Sequence, residues 1–479
     1  MRTWKPAAIA LAVAALVAAC GGGDGASDGA SFDLTGAPGS LLATPTALTS
    51  LTPAAFQAAA PASLFQVAGV PKCTVTFNYF QYGTVGGAGE KTTASGGIMV
   101  PSGADPACTG PRPVLLYAHG TSTDKNKNMA SPQDGEAALI GAMYAAQGYI
   151  VVAPNYAGYE ASTLPYHPYL NLEQQAQDVV DALTAARKGF AGIGANASPV
   201  LFLSGYSQGG YVSMAAQRKL QLDGTPAVAG AHLSGPYALG AFGDAVYAGN
   251  VNLGATLFSP LLNTSFQRTY GNLYSDPSEM YESAYATGIE SLLPTTSPST
   301  LVSSGKLPAL ALFAADSLPQ PTGFATFFGA GNLIKTSYRN AVLADAMANP
   351  TNPTHPLRVA GARNDLLRQN WTPAQPMLLC GGNADPTVFF SINTQGAKSY
   401  FNSRSVPDPL VKVLDVDSAF AGDGFDTARG GFAIAKSNTL TSGGASGVAQ
   451  AYHGTLVPPF CNAAARGYFN TILSSLSAS

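Results

Sequence analysis

Charge is scarce in this chain. Asp, Glu, Lys and Arg make up 11% of its 479 residues, and the formal net charge is −3. A balance this close to neutral lacks the basic footprint that a nucleic-acid partner requires. Histidine is scarce too, with five residues. A histidine base must therefore be His119, His167, His232, His355 or His453. Cysteine also numbers five, an odd count for an exported protein. Past the N-terminus no segment is apolar for long enough to span a bilayer, and no internal repeat divides the chain.

The N-terminus carries a targeting pattern. Arg2 and Lys5 precede an unbroken apolar run from Ala7 to Ala19. That run is too short and too alanine-rich for a membrane span and fits a cleaved signal peptide. It ends in Leu16-Val17-Ala18-Ala19-Cys20, which resembles a bacterial lipobox. The resemblance implies residues 1–19 as a lipoprotein signal, lipidation of Cys20, membrane attachment through that lipid and a cell-envelope location. Plain secretion is the alternative. Residues 20–60, rich in Ala, Gly, Thr, Ser and Pro, are expected to form a flexible linker. With Cys20 set aside, Cys73, Cys108, Cys380 and Cys461 remain, and four cysteines allow three pairings. The expected pairs are Cys73–Cys108, closing an N-terminal β region, and Cys380–Cys461.

The most informative stretch is Gly205-Tyr206-Ser207-Gln208-Gly209. The apolar run Val200–Ser204 before it reads as a buried strand, and Tyr211–Leu220 after it reads as a helix. A G-x-S-x-G between strand and helix is a nucleophile elbow. Gly205 and Gly209 leave room for the tight turn, and the helix N-terminus faces developing negative charge. Around it, strands are expected at 73–82, 92–100, 114–118, 149–153, 228–233, 376–381 and 410–416. Helices are expected at 136–147 and 171–188, with a last one at about 460–476. Unbroken apolar strands alternating with helices mean a mostly parallel sheet covered on both faces. Between Pro236 and Trp371 this rhythm is lost. Residues 237–370 are expected to be a largely helical cap inserted into a catalytic domain of residues 61–236 and 371–479.

A serine nucleophile needs a base and an orienting acid, in the chain order Ser, Asp, His for this architecture. Asp385 follows a buried strand and a glycine turn, and His453 lies downstream before the final helix. A competing pair is Asp316, after a strand-like run at 307–315, with His355. Asp415 and Asp417 read as strand-end or turn residues within a carboxylate-rich stretch that fits no calcium loop. The oxyanion donors expected are the backbone N–H of Gln208 and that of Thr121, with Gly120 and Ser122 as neighbours of the latter. His119 and His232 read as structural. His167 reads as a loop residue beside the pocket. A Cys380–Cys461 bridge would clamp the acid loop to the histidine loop.

These motifs, with Ala118-His119-Gly120-Thr121 and Val151-Val152-Ala153-Pro154-Asn155-Tyr156-Ala157-Gly158, resemble the α/β-hydrolase superfamily. Gly-Tyr-Ser-Gln-Gly-Gly and the insertion before the acid strand are similar to the secretory lipase family typified by Candida antarctica lipase A. The resemblance implies serine-dependent hydrolysis of a small-molecule or lipid ester beneath a helical lid, with no cofactor and no metal. The stretch from Gly422 to Ala449 departs from that pattern and is expected to be a long Gly/Ser-rich loop. A serine peptidase of the prolyl-oligopeptidase type uses the same sheet and triad and is the alternative.

Overall fold

A computed structural model of the chain describes residues 36–59 and 62–478. The signal segment, Cys20 and the first part of the expected linker lie outside the described residues.

The sheet comprises β1 (Thr46–Leu51), β2 (Thr74–Val85), β3 (Lys91–Ser102), β4 (Arg112–Ala118), β5 (Ile150–Pro154), β6 (Ala197–Tyr206), β7 (Ala229–Leu233), β8 (Met377–Gly381) and β9 (Val411–Asp415). The strand order is β1-β2-β3-β5-β4-β6-β7-β8-β9. The pairs from β5 through β9 are parallel, and β1, β2 and β3 join antiparallel at one edge. The helices are α1 (Pro53–Ala59), α2 (Ala62–Ala68), α3 (Gly135–Met143), α4 (Leu172–Gly189), α5 (Gln208–Leu222), α6 (Leu239–Tyr247) and α7 (Ala255–Tyr270). They continue with α8 (Ser283–Ala286), α9 (Thr336–Ala348), α10 (Pro356–Arg363), α11 (Thr394–Ser403), α12 (Asp426–Ala451) and α13 (Val457–Ala478).

Alternation of side chains along each strand feeds two cores. Val114 and Leu116 of β4 pack on one face with Val179 and Leu183 of α4 and Ala215 of α5. Leu115 and Tyr117 pack on the other with Ile140 of α3 and Phe469 of α13. Phe202 of β6 stacks on Phe469 with ring centroids 4.4 Å apart. Burial of one such ring contributes roughly 1.5–3 kcal/mol. Strands apolar on both faces thus follow from helices on both faces. The structure is an α/β-hydrolase fold. The helices between β7 and β8, α6 to α10, belong to the same compact unit as the sheet.

Three expectations need correction. Residues 46–59 are not linker. β1 pairs with β2, Thr46 opposite Tyr79 and Leu51 opposite Val75, and α1 follows with Phe56 buried. β1 is an edge strand with both faces largely exposed, so its sequence lacks the apolar alternation that marks a half-buried strand. The stretch 422–449 is not a loop. α12 occupies most of it, anchored by buried Arg429 and Phe432 and interrupted at Gly444, whose φ is 64° and ψ −170°. Tertiary anchoring and alanine content outweigh the low helix propensity of its glycines. The run 307–315 forms no sheet strand. It contributes a single bridge between Phe313 and Phe328.

Disulfides join Cys73 to Cys108 and Cys380 to Cys461. None of the described helices is long and apolar enough to cross a membrane.

Candidate active site

Ser207 is the hinge between β6 and α5. Its backbone has φ 58° and ψ −122°, a conformation that costs on the order of 1–3 kcal/mol outside glycine. The neighbouring glycines explain how the turn closes. A Cβ on Gly205 would lie 2.2 Å from the Gly209 carbonyl oxygen, and one on Gly209 would lie 1.9 Å from that of Ala118. The Ser207 N–H donates to Leu233 O of β7 at 2.9 Å. The turn is thus fixed by two adjacent strands.

Asp385 follows β8, and His453 lies in a single π-helical turn, Tyr452–Leu456, between α12 and α13. His453 Nδ1 is 2.6 Å from Asp385 Oδ2, and Nε2 is 2.8 Å from Ser207 Oγ. A carboxylate only accepts, so Nδ1 carries the proton and donates. In the neutral ring Nε2 is then the acceptor for the serine hydroxyl. Asp385 Oδ1 accepts from the N–H groups of Thr387 and Val388 at 2.8 and 3.1 Å. The carboxyl is therefore oriented from both sides. Tyr206 donates its hydroxyl to His453 O at 2.6 Å, tying the histidine backbone to the end of β6.

The other histidines are occupied elsewhere. Burial pushes His232 down to about 3, and its ring meets Ser213 and Gln217. Burial likewise pushes His119 to about 4, and its ring stacks on Tyr156 at 4.1 Å. His167, held to about 3 by burial, donates from Nδ1 to Ala157 O. Its Nε2 then accepts from the Gln208 amide at 2.6 Å, so it anchors the side chain beside the nucleophile. His355 directly precedes α10 and meets Tyr338 edge-on at 5.1 Å, while Asp316 is exposed in a turn. The competing pair is not brought to the serine.

Thr121, Ser207 and Gln208 line one cleft of about 1110 Å³, counted with its open mouth. Gly120 is committed elsewhere, because its N–H donates to both oxygens of Glu136 at 3.0 and 3.2 Å. Of Gly120, Thr121 and Ser122, it is Thr121 that lines the cleft, and its hydroxyl bonds to that of Tyr169 at 2.9 Å. The walls are apolar side chains, among them Leu239, Phe242, Val246, Phe258, Leu262 and Leu357. These come from α6, α7 and α10. Arg358 of α10 clamps this roof. It donates to Asp244 of α6 at 2.7 and 2.9 Å and to Asp345 of α9 at 2.6 Å. Against the opposing effect of burial, the hydrogen bond from the Thr354 hydroxyl, and after it the one from Arg358, hold the Asp345 carboxyl well below the usual carboxylate range.

The sequence model of the secretory lipase family matches residues 133–369. The esterase LipA of Xanthomonas oryzae, a rice cell wall degrading enzyme, aligns at 32% identity with a TM-score of 0.65. The alignment covers 79% of this chain and 91% of that one. The chain belongs to the secretory lipase family. It is a carboxylic ester hydrolase, and family and disulfides together mark it as exported. A ligand-bound form of LipA aligns at 29% identity and TM-score 0.69, covering 90% of this chain and 98% of that one. A protein of Legionella pneumophila at 20% identity and TM-score 0.62, covering 78% of this chain and 91% of that one, shares the fold. No curated protein matches the sequence.

Several residues around the site carry no signal in the sequence. Tyr206 and Glu136 act through distant partners. The acids rated as strand-end residues, Asp415 and Asp417, brace the acid loop. Asn383 donates to Asp415 from its backbone at 3.1 Å and from its side chain at 2.7 Å. Asp423 and Asp426 pair with Arg429. Among the described residues no group of His, Cys, Asp and Glu is arranged to hold a metal.

Proposed function

We propose that this esterase works through a covalent acyl-enzyme formed on Ser207. The observation that carries the reading is the hydrogen-bonded chain Asp385–His453–Ser207 at the floor of an apolar cleft. His453 Nε2 takes the hydroxyl proton as Oγ attacks the ester carbonyl. Asp385 holds the ring and stabilises the imidazolium. The N–H groups of Gln208 and Thr121 receive the oxyanion. His453 then protonates the leaving alcohol. Water, deprotonated by the same ring, releases the acid. The cleft takes an apolar acyl or alcohol group between α6, α7 and α10. Lipidation at Cys20 would hold the enzyme at the cell envelope.

The test is hydrolysis of p-nitrophenyl esters from acetyl to palmitoyl by a soluble form lacking residues 1–20. Esters of plant cell-wall components join the panel because of the related rice cell wall degrading esterase. Ser207→Ala and Asp385→Asn are expected to lower kcat by about 10⁴-fold or more. Wild-type turnover in Ser207→Ala would sink the mechanism.

A further inference from the structure

The hydroxyl of Tyr452 occupies an unusual position. Tyr452 directly precedes His453, and its hydroxyl accepts from the N–H of Ala384, which directly precedes Asp385, at 3.2 Å. The same hydroxyl donates to Asp417 Oδ2 at 2.6 Å. One oxygen therefore joins the residues next to the acid and next to the base. Burial and the Asp417 bond raise the Tyr452 pKa well above the ordinary phenol range, so the proton stays in place for that donation. Room for the hydroxyl is made by Gly382, where a Cβ would lie 2.5 Å from it.

The tyrosine is itself held on every side. Its ring packs edge-on against Phe432 of α12 at 5.5 Å. Lys436, also of α12, pairs with Asp417 at 2.6 Å and lies 5.8 Å from the Tyr452 ring centroid. Asn383 donates to the backbone carbonyl of Asp417 at 3.3 Å, so Asp417 is bound to the acid loop as well. The charged and titratable groups facing Tyr452 are Asp417 and Asp415 beyond β9 and at its end, and Lys436 of α12. Those facing His453 are Asp385 and Tyr206. The Cys380–Cys461 bridge ties the same two segments farther from the reacting atoms.

We propose that Tyr452 is a positioning residue for the hydrolysis. Its hydroxyl locks the segment before Asp385 to the turn that carries His453. This rests on the triad reading above. Without the hydroxyl, the acid loop and the histidine turn keep their folds but lose their common pin. The Nδ1–Oδ2 contact then loosens. Misplacement of a catalytic group by about 1 Å costs on the order of 100-fold in rate.

The experiment is steady-state kinetics of Tyr452→Phe, with active sites counted by a fluorophosphonate. The ring is kept and only the hydroxyl is removed. The expected result is a kcat per active site lowered about tenfold or more, with KM within about twofold. Asp417→Asn, which removes the charge that receives the hydroxyl, should give the same split, kcat lowered with KM held. It decides the matter alone if Tyr452→Phe does not fold. A kcat within about twofold of wild type overturns the proposal. So does a lowered kcat accompanied by a KM raised in proportion, which marks a general disturbance of the cleft and not of the reacting groups. Ser207→Ala in the same series separates the two readings. If it keeps turnover, the triad reading has failed. If it is dead while Tyr452→Phe behaves as wild type, only the positioning role is rejected.

Discussion

Ser207 and the Asp385–His453 pair that reaches it are held by different physics. The serine sits where the backbone leaves no alternative: two parallel strands, a helix N-terminus and glycines too close to carbonyl oxygens to carry a side chain. Asp385 and His453 sit where side chains hold them. Asn383 reaches Asp415, Tyr452 reaches Asp417, and a disulfide staples Cys380 to Cys461. The first half is rigid because atoms cannot overlap. The second is rigid only while its cross-links last. A site built this way should fail differently on its two sides.

The largest effect should come from the serine side. Gly209→Ala places a methyl 1.9 Å from the Ala118 carbonyl oxygen, which no rotamer relieves. Turnover should fall by about 100-fold or more, with stability lowered by about 1–3 kcal/mol or more. Rate measurements per folded molecule and denaturant curves check both. Normal activity in this variant would break the comparison.

A smaller effect separates the two disulfides. Serine at both Cys380 and Cys461 should lower stability by about 2–4 kcal/mol and lower kcat about severalfold, because the acid and histidine segments lose their staple. Serine at both Cys73 and Cys108 should cost similar stability but leave kcat of the folded fraction within about twofold. That bridge closes the antiparallel edge, away from the triad. Equal loss of kcat in both variants would show that the bridges act only through global stability.

The smallest effect is in pH. Beside β2, burial pushes Asp178 up to about 6 and Asp181 up to about 7. The unfolded chain titrates these groups near ~3.9. The folded state binds their protons more tightly, so stability from this side falls as pH rises from about 4 to about 7. At the start of α12, the Arg429 bond pulls Asp423 down to about 2. Stability from that group is complete above about 4 and is lost as pH falls through about 2. Denaturation curves from pH 2 to 8 should show Asp181→Asn flattening the neutral side and Asp423→Asn flattening the acid side. The reverse pattern would refute the assignment.

The two halves were also unequally legible in the sequence. The elbow is local: a run of apolar residues, five residues with two glycines, then a helix. Strand identity followed from apolar runs in β4, β5, β6 and β8, each buried on both faces. Asp385 and His453 could be named from chain order, because order along an alternating α/β chain limits what can reach the end of β6. The supports of those two residues were invisible. Tyr452 and Asp417 are separated by 35 positions, and nothing local marks them as partners. β1 escaped because an exposed edge strand has no apolar face to display. α12 escaped because its glycines and serines read as a loop, while the contacts that anchor it, Phe432 on Tyr452 and Phe460 and Lys436 on Asp417, join residues far apart in the chain.

α12 has one more consequence. At Gly444 the helix turns back, so that a methyl on Gly447 would lie 3.9 Å from the Thr439 carbonyl oxygen. In a straight helix those eight positions would be separated by about 12 Å. The tip, Ser442 to Ser446, is exposed, and both arms are tied to Asp417, one through Lys436 and the other through Tyr452. Residues inserted at the tip are therefore expected to leave kcat within about twofold of wild type, as steady-state kinetics of a variant with a short Gly/Ser insertion after Gly444 would check. The segment would then serve as a cassette, a splice point where a reporter or an affinity handle can be grafted into the middle of the chain.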